Sequence, residues 1–288
     1  VHALTKANTD ADTYALPAEN GIKIRMYPGY SALFLQCSKK TEYTHVPHWN
    51  YNIEYVEEKE RGYDYQEDVF VPGYFELPMR KGESVVFTAG LNEIDTSKLK
   101  QIYSSETKKR IPRDNYKNCL INSGLQFFVT RNNKVEIIAG YPWFGRWGRD
   151  TFIALPGLTL AINEPEKCKA IIDNMIAELK GGLLPNVGCG QDSAYNSVDA
   201  PLWFFWALQQ YAVYTGTQSR IWQEYGDKMK LILNAYRKGC EFNIKMQDNG
   251  LIYAGVEGKA LTWMDAIVDG NPVTPRIGLA VEINALWY

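Results

Sequence analysis

Apolar residues follow two different rhythms along this chain, and the change from one to the other divides it into two parts. Up to about residue 103, short runs of alternating or β-branched residues recur between turn signals. These runs cover residues 21–26, 32–37, 52–55, 68–71, 74–77 and 83–88. A period of two residues is typical of strands that bury one face. The pattern therefore predicts an N-terminal β-sandwich domain over residues 1–105.

From about residue 112 the apolar residues recur at helical spacing instead. This spacing predicts helices over residues 112–130, 150–162, 165–180, 199–215, 218–245 and from 279 to the end. Helices that are apolar on almost every side alternate with helices that carry one apolar stripe. The first kind is buried and the second lies outside. Two alternating layers of antiparallel helices predict an (α/α)6 toroid, of which residues 106–288 would form the first half.

The boundary between the two domains is placed in the stretch 92–110, which is charged and lacks a hydrophobic period. The last predicted helix belongs to the inner layer, and on its own it would leave the face of its neighbour in water. We therefore expect the remaining helices in a longer parent chain. The N-terminal domain is likewise expected to be truncated upstream.

Composition excludes several classes of partner. The formal net charge is -2, which argues against a nucleic-acid ligand. No 18-residue apolar span or signal peptide is found, so no membrane partner is expected. Five cysteines without paired or metal-ligand spacing favour a reducing, cytoplasmic location. All three histidines lie within the first 48 residues, so we expect no metal, no cofactor and no histidine-based catalysis in the helical half.

The unusual chemistry of the helical half is concentrated in three loops, 131–149, 181–198 and 246–278. Each one leads from an outer to an inner helix, and every connection reverses the chain. The three loops are therefore predicted to lie at the same end of the barrel, where they would form one cleft.

The first loop ends in the stretch 140–150, which holds three glycines, a proline, two tryptophans, two arginines and one aspartate. Indole rings offer flat apolar faces with a polar edge, and Arg149 with Asp150 supplies donors beside an acceptor. A sugar is the ligand that suits this mixture. The alternative is an aromatic loop that only caps a helix, with Asp150 as the N-cap residue.

The second and third loops each carry a candidate acidic residue. Asp199 is followed two positions later by Pro201. This pattern is as typical of a helix N-cap as of a functional acid. Asp265 stands between apolar neighbours, and apolar surroundings disfavour the charged form of a carboxyl. A protonated carboxyl is what a general acid needs to protonate a glycosidic oxygen. The alternative for Asp265 is a salt bridge with Arg276.

Glu282 lies on the last, apolar helix and is predicted to face inward. Two interpretations remain open: a buried hydrogen-bonding residue, which we favour, or a catalytic carboxylate.

Four motifs in order resemble the amylo-α-1,6-glucosidase domain of glycogen debranching enzymes, prokaryotic ones in particular. They are YPWFGRWGRDT at 141–151, YNSVDAPLW at 195–203, TWMD at 262–265 and PVTPR at 272–276. The resemblance covers about residues 110–288. Residues 1–105, with RGYDYQED at 61–68, resemble the end of that family's N-terminal β-domain.

The resemblance implies an inverting glycoside hydrolase that removes single glucose residues from α-1,6 branch points of glycogen or limit dextrin. Asp265 takes the general-acid role in this comparison. The substrate-binding residues would include the Arg149–Asp150 pair that grips the terminal glucose, together with Trp143, Trp147, Asp199, Trp203, Trp263 and Arg276. The general base is expected beyond residue 288, with Glu282 as the candidate here, so the 288-residue chain alone is expected to be inactive.

Three other functions stay open from the sequence. An exo-α-1,4-glucosidase or a disaccharide phosphorylase could use the same barrel, and products formed with and without phosphate would separate them from the leading hypothesis. A non-catalytic glucan-binding module would use Asp265 only as a hydrogen-bond acceptor. The expected partner is a branched α-glucan such as glycogen or a limit dextrin.

Overall fold

A computed structural model describes residues 5–141, 144–188 and 193–288. The chain divides between residues 111 and 112 into two compact units. The first unit is rich in sheet and the second is mainly helical, which confirms this coarser part of the predicted fold.

The first unit holds six strands and two helices. The strands are β1 Ala15–Ala18, β2 Gly21–Ile24, β3 Leu33–Cys37, β4 Glu42–Glu54, β5 Gln66–Glu76 and β6 Phe87–Gly90, and the helices are α1 Val56–Glu60 and α2 Leu99–Lys109. Four strands form an antiparallel sheet in the order β1-β2-β3-β6, while β4 and β5 pair as a long separate hairpin. The sandwich arrangement stays a prediction.

Helix α2 occupies much of the charged stretch in which no element was expected. The predicted boundary at residue 105 falls inside it. Helix α2 buries one residue, Leu99. The sequence of this helix therefore lacks a repeating apolar pattern. The helix is instead preceded by a 3₁₀ turn over Thr96–Lys98, capped by the side chain of Asp95, which accepts a hydrogen bond from the Ser97 amide at 3.1 Å.

Within the described residues, the second unit contains six further helices and three short hairpins. The helices are α3 Tyr116–Leu125, α4 Gly148–Leu158, α5 Pro165–Ile176, α6 Ala200–Thr215, α7 Gln218–Lys238 and α8 Val281–Trp287. The hairpins pair β7 Phe128–Arg131 with β8 Lys134–Ile137, β9 Lys245–Met246 with β10 Ile252–Tyr253, and β11 Ile267–Val268 with β12 Asn271–Pro272.

The prediction of one helix over 112–130 is wrong at its end, because the chain turns into the β7–β8 hairpin. Asn132 and Asn133 form the two-residue turn, with φ of 49° and 61°. Two positive φ angles suit this kind of hairpin, and asparagine tolerates them better than most residues. The helix predicted over 218–245 also ends early, at Lys238, where Gly239 takes a φ of 103°.

The core of the second unit is centred on α6. This helix packs against α4, α5, α7 and α8. Phe152 of α4 meets Phe204 of α6 with ring centroids 5.9 Å apart at 69°, an edge-to-face geometry that aromatic pairs prefer. Helices α5 and α7 bury one stripe each, as the sequence predicted. This packing fixes the N-terminal ends of α4 and α6, where the candidate site lies.

In the described ranges, no helix is both long and apolar enough to cross a membrane.

Candidate active site

The start of α4 is held against the second loop by a close backbone approach at Gly148. Its amide donates a hydrogen bond to the Asn186 carbonyl at 2.8 Å. A Cβ at this position would lie 2.1 Å from the Pro185 carbonyl oxygen, so only glycine fits. Trp147 bridges to Val187 in the same contact. The motif glycine thus places Arg149, in the first turn of α4, beside the second loop.

Arg149 and Asp199 form a buried, two-point ion pair. Arg149 Nε donates to Asp199 Oδ2 at 2.5 Å, and Nη2 donates to Oδ1 at 3.2 Å. Their side chains are 7% and 3% exposed. Burial lowers the pKa of Arg149, but the hydrogen bonds and negative charge of Asp199 outweigh it, so the net pKa is raised. The guanidinium therefore stays charged inside the protein.

Asp199 occupies the N-cap position of α6, but its carboxylate does not cap the helix. Ser197 does so instead, since Ser197 Oγ accepts a hydrogen bond from the Ala200 amide at 3.1 Å. The same hydroxyl donates to Asp199 Oδ1 at 2.5 Å. The capping interpretation of Asp199 is therefore wrong, because its oxygens are committed to Arg149 and Ser197.

Asp265 reaches the same arginine from the third loop. Its Oδ2 lies 3.5 Å from Arg149 Nη1, and its side chain is 29% exposed. The third loop is tied to the second by a hydrogen bond from the Val198 amide to the Leu261 carbonyl at 2.9 Å. Side chains from all three loops, Arg149, Asp199 and Asp265, thus meet in one cluster.

The surroundings of Asp265 differ from the expected apolar pocket. Trp263 and Ala266 are exposed, because the residues after Asp265 run along the surface. The alternative salt bridge between Asp265 and Arg276 is also absent from the described ion pairs, in which Arg276 binds Glu282.

Asp150 stands beside the cluster without belonging to the ion pair. It is the third residue of α4, and Trp147 holds the N-cap position, so the capping interpretation of Asp150 is wrong. Its side chain is accessible, and its carboxylate has no hydrogen-bond partner within the described residues. Desolvation by the surrounding protein raises the pKa of Asp150, the charge of Arg149 lowers it, and the carboxylates of Asp265 and Asp199 raise it again.

The tryptophans predicted to contact the sugar differ in how accessible they are. Trp143 lies outside the described residues. Trp147 is half-buried at the N-cap of α4, and Trp203 packs edge-on against Trp206 with centroids 5.5 Å apart at 89°. Trp263 is 55% exposed, and the Arg276 guanidinium lies 6.0 Å from its ring centroid. Trp263 therefore offers the most accessible indole among the three described.

Glu282 does not face inward as predicted. It lies in the first turn of α8, where Ile283 is the buried residue, and its side chain is partly exposed. Its Oε1 accepts a hydrogen bond from Arg276 Nη2. The favoured interpretation, a buried hydrogen-bonding residue, is wrong because Glu282 is not buried. Helix α8 has seven residues, and so short a helix buries only a narrow apolar stripe.

Sequence reasoning missed a second buried arginine, Arg146. Its Nη1 and Nη2 donate to the two Glu178 carboxylate oxygens, both at 2.7 Å, and Nη1 also donates to Glu136 at 3.1 Å. Arg146 Nη2 further donates to the Gly188 carbonyl at 2.9 Å. Glu178 falls inside the helix predicted over residues 165–180, but α5 ends before it, at Ile176. The motif did contain an indication of this, because it holds two arginines three residues apart, and each of them needs an acidic partner if it is buried.

Several buried polar atoms near these loops have no hydrogen-bond partner within the described ranges. They are Thr151 Oγ1, Asn186 Oδ1, Asn196 Oδ1, Thr262 Oγ1 and Arg276 Nε. Native proteins leave few buried polar groups unsatisfied, and such groups tend to occur at functional sites. No group of three or more His, Cys, Asp or Glu residues in the described ranges is arranged to hold a metal ion.

A helical unit whose inter-helix loops gather acidic, basic and aromatic side chains has the features of a sugar-binding enzyme domain. The family model described as amylo-alpha-1,6-glucosidase matches residues 122–288. This match covers more than half of the sequence, and the chain belongs to the amylo-alpha-1,6-glucosidase family. A second model, described as the N-terminal part of glycogen debranching enzyme, matches residues 1–86. The resemblance based on the four motifs is thereby confirmed.

The glycogen debranching enzyme of Saccharomyces cerevisiae is 28% identical to this chain over 214 residues. The match covers 54% of the chain and 14% of that relative. The similarity therefore concerns a small part of a much longer protein.

Proposed function

We propose that this chain carries the glucosidase site of a glycogen debranching enzyme, which releases single glucose residues from α-1,6 branch points. The observation that carries the proposal is the cluster of Arg149, Asp199 and Asp265, with the accessible carboxylate of Asp150 beside it. The substrate would be a branched α-glucan such as glycogen or a limit dextrin.

In this proposal Asp265 is the general acid. Its partly exposed carboxyl lies at the solvent side of the cluster and would donate its proton to the glycosidic oxygen as the bond to the sugar breaks. Asp199 takes the Nε and Nη2 side of Arg149 through two hydrogen bonds, so Asp265 meets the guanidinium at Nη1 alone, 3.5 Å away.

Hydrolysis would invert the anomeric centre. Water would attack the face of the sugar opposite to Asp265 and lose its proton to a carboxylate base, so the α-linked glucose would leave as the β-anomer. Glu282 is a weak candidate for that base, because its carboxylate is engaged by Arg276.

Asp150 would hold the terminal glucose, because its carboxylate is accessible and has no partner in the described part of the chain. Arg149 would assist through the N–H groups that Asp199 and Asp265 leave unused. Trp263 would stack on an apolar sugar face, with Arg276 beside it. Trp143, Trp147 and Trp203 would complete the aromatic wall.

We also propose that the helical unit belongs to an (α/α)6 toroid with the glucan at the mouth of the barrel. The central position of α6 among four other helices supports an inner helix of such a ring. A cytoplasmic location is proposed as well, since Cys37, Cys119, Cys168 and Cys240 are free thiols.

A second candidate is a non-catalytic glucan-binding protein. The contact between Arg149 and Asp265 favours it, because this contact uses the carboxylate as a hydrogen-bond acceptor. Two further candidates are an exo-α-1,4-glucosidase and a phosphorylase on the same barrel. The following test distinguishes them from the proposed activity.

The test uses the natural protein that carries this sequence, incubated with a branched limit dextrin or with linear maltooligosaccharides, each with and without phosphate. We expect free glucose from the branched substrate alone, at a rate that phosphate does not change. Glucose 1-phosphate would contradict the proposal in favour of a phosphorylase, and glucose from the linear substrate would favour the exo-α-1,4 activity. Tight glucan binding without any product would favour the binding protein.

A further inference from the structure

We propose that Asp199 is a positioning residue, which acts through Arg149 on the Asp265 carboxyl and does not itself touch the sugar. The inference deepens the proposed function, on which it rests for the reaction involved. It replaces the sequence-based expectation that Asp199 binds substrate.

The first argument is access. Asp199 is 3% exposed at its side chain, and both of its oxygens already accept hydrogen bonds. Oδ2 accepts from Arg149 Nε, while Oδ1 accepts from Arg149 Nη2 and from Ser197 Oγ. A sugar hydroxyl would have to displace a charged donor from a buried carboxylate in order to bind there, which is strongly unfavourable.

The second argument is orientation. Guanidinium groups are planar and rigid, so two hydrogen bonds to one carboxylate fix the plane of the whole group. Asp199 binds the Nε and Nη2 side of Arg149, and this leaves Nη1 directed at Asp265 Oδ2, 3.5 Å away. The position of the donor that Asp265 meets is therefore set by Asp199.

The third argument is the rigidity of the support. Val198, next to Asp199, is buried and held on both sides: its amide donates to the Leu261 carbonyl at 2.9 Å, and its carbonyl accepts from Tyr236 Oη at 2.7 Å. Tyr236 of α7 is fully buried and stacks on Trp287, with centroids 5.9 Å apart at 18°. The backbone that carries Asp199 is thus tied both to α7 and to the loop that carries Asp265.

Asp199 also balances the charge of Arg149. The charged groups around Asp265 in the described part of the chain are Arg149 and Asp150 from α4 and Asp199 at the start of α6. Without the negative charge of Asp199, the guanidinium would be drawn toward the two remaining acids, Asp150 and Asp265, and would leave the orientation that its two hydrogen bonds to Asp199 now fix.

The test compares Asp199→Asn with Glu178→Gln in the natural protein. Glu178 is the matched control, because it binds the neighbouring Arg146 through two hydrogen bonds in the same way. For Asp199→Asn we expect kcat to fall about tenfold to a hundredfold, as for a misplaced catalytic group. KM and the affinity for glucose should change by a smaller factor than kcat, since Asp199 itself makes no sugar contact and only the assisting contact of Arg149 can move.

Glu178→Gln should lower thermal stability and leave kcat unchanged, because Glu178 binds Arg146 and not the Asp265 cluster. The proposal is overturned if Asp199→Asn behaves like this control, or if it weakens glucose binding in proportion to its loss of activity. If Asp199→Asn does not fold, Asp199→Glu carries the test. The extra methylene should displace the arginine and lower kcat by at least about tenfold, a larger factor than the loss of glucose affinity, and a wild-type kcat would overturn the proposal.

A wild-type protein that releases no glucose would end the proposed function but leave the positioning testable. A crystal structure of Asp199→Asn should then show the Arg149 guanidinium turned toward Asp265, with two contacts in place of the single contact at 3.5 Å. An unchanged guanidinium orientation would overturn the positioning on its own.

Discussion

Arg146 and Arg149 lie three residues apart in one motif, both are buried, and both bind a carboxylate through two hydrogen bonds. Their partners differ. Arg146 faces Glu136, Glu178 and the Gly188 carbonyl, which together enclose it. Arg149 has one buried partner, Asp199, and one partly exposed partner, Asp265, with the accessible Asp150 alongside.

The difference shows how one residue type serves two purposes. All five N–H groups of Arg146 donate hydrogen bonds to acceptors that enclose it, so this arginine acts as a structural tie between loops. The second acids of the two clusters are similarly exposed, 21% for Glu178 and 29% for Asp265. What distinguishes the Arg149 cluster is the accessible carboxylate of Asp150 beside it, which has no hydrogen-bond partner within the described residues.

The largest expected effect is that of Asp265→Asn. The amide cannot donate an acidic proton, so the chemical step should slow by about two to four powers of ten, the usual contribution of general acid catalysis. Stability should change little, because the Asp265 side chain is partly exposed. Steady-state kinetics on a limit dextrin, with thermal unfolding as the control, measure both quantities. Full activity in this variant would mean that the Arg149 cluster, like the Arg146 cluster, has only a structural role.

Arg146→Met should produce the opposite result, a loss of stability. Removing the guanidinium leaves Glu136 and Glu178 without their shared cation, and breaking a buried ion pair costs about 3–5 kcal/mol. Lys230→Met is the control, because the exposed pair of Lys230 with Asp227 should contribute less than about 1 kcal/mol. Urea unfolding of the three proteins gives the free energies of unfolding. Equal stabilities for the two variants would refute the structural role of Arg146.

Asp150→Asn should weaken glucose binding. A charge-assisted hydrogen bond contributes about 1.5–3 kcal/mol, so the dissociation constant should rise by about tenfold to 150-fold. Asp173→Asn is the matched control, since Asp173 accepts its hydrogen bond from Tyr225 on the outer helices. Isothermal titration with glucose measures the affinities. If the two variants bind glucose alike, Asp150 does not contact the sugar.

The smallest effect concerns pH and stability. The pKa of Asp150 is raised above the ordinary value of 3.8, so the folded chain holds this proton more tightly than the unfolded chain does. Asp150 therefore lowers stability as the pH rises from that ordinary value through the raised one, and its cost persists above it. In Asp150→Asn this contribution should disappear, so the melting temperature of the variant should rise relative to that of the wild type as the pH increases through this range. An identical pH dependence in both proteins would contradict the raised pKa.

Periodicity predicted the helices of the second unit well at their starts, including α5 at Pro165 and α7 at Gln218. It also placed the three loops at one end, and the structure brings Arg149, Asp199 and Asp265 together. The pattern could not show which acid each arginine selects, because polar partners are chosen by geometry across long sequence separations. For that reason Glu282 was misplaced and the acidic partners of Arg146 were missed. The substrate-binding role of Asp199 stays a prediction, which the Asp199→Asn variant tests.

The most direct test of the central claim is the anomeric form of glucose released at early times, followed by proton NMR. In the natural protein acting on a branched limit dextrin, we predict that the β-anomer appears first and that its signal is lost in Asp265→Asn but retained in Glu178→Gln. The α-anomer as first product would contradict inversion. A signal that persists in Asp265→Asn would contradict the assignment of the Arg149 cluster as the catalytic site.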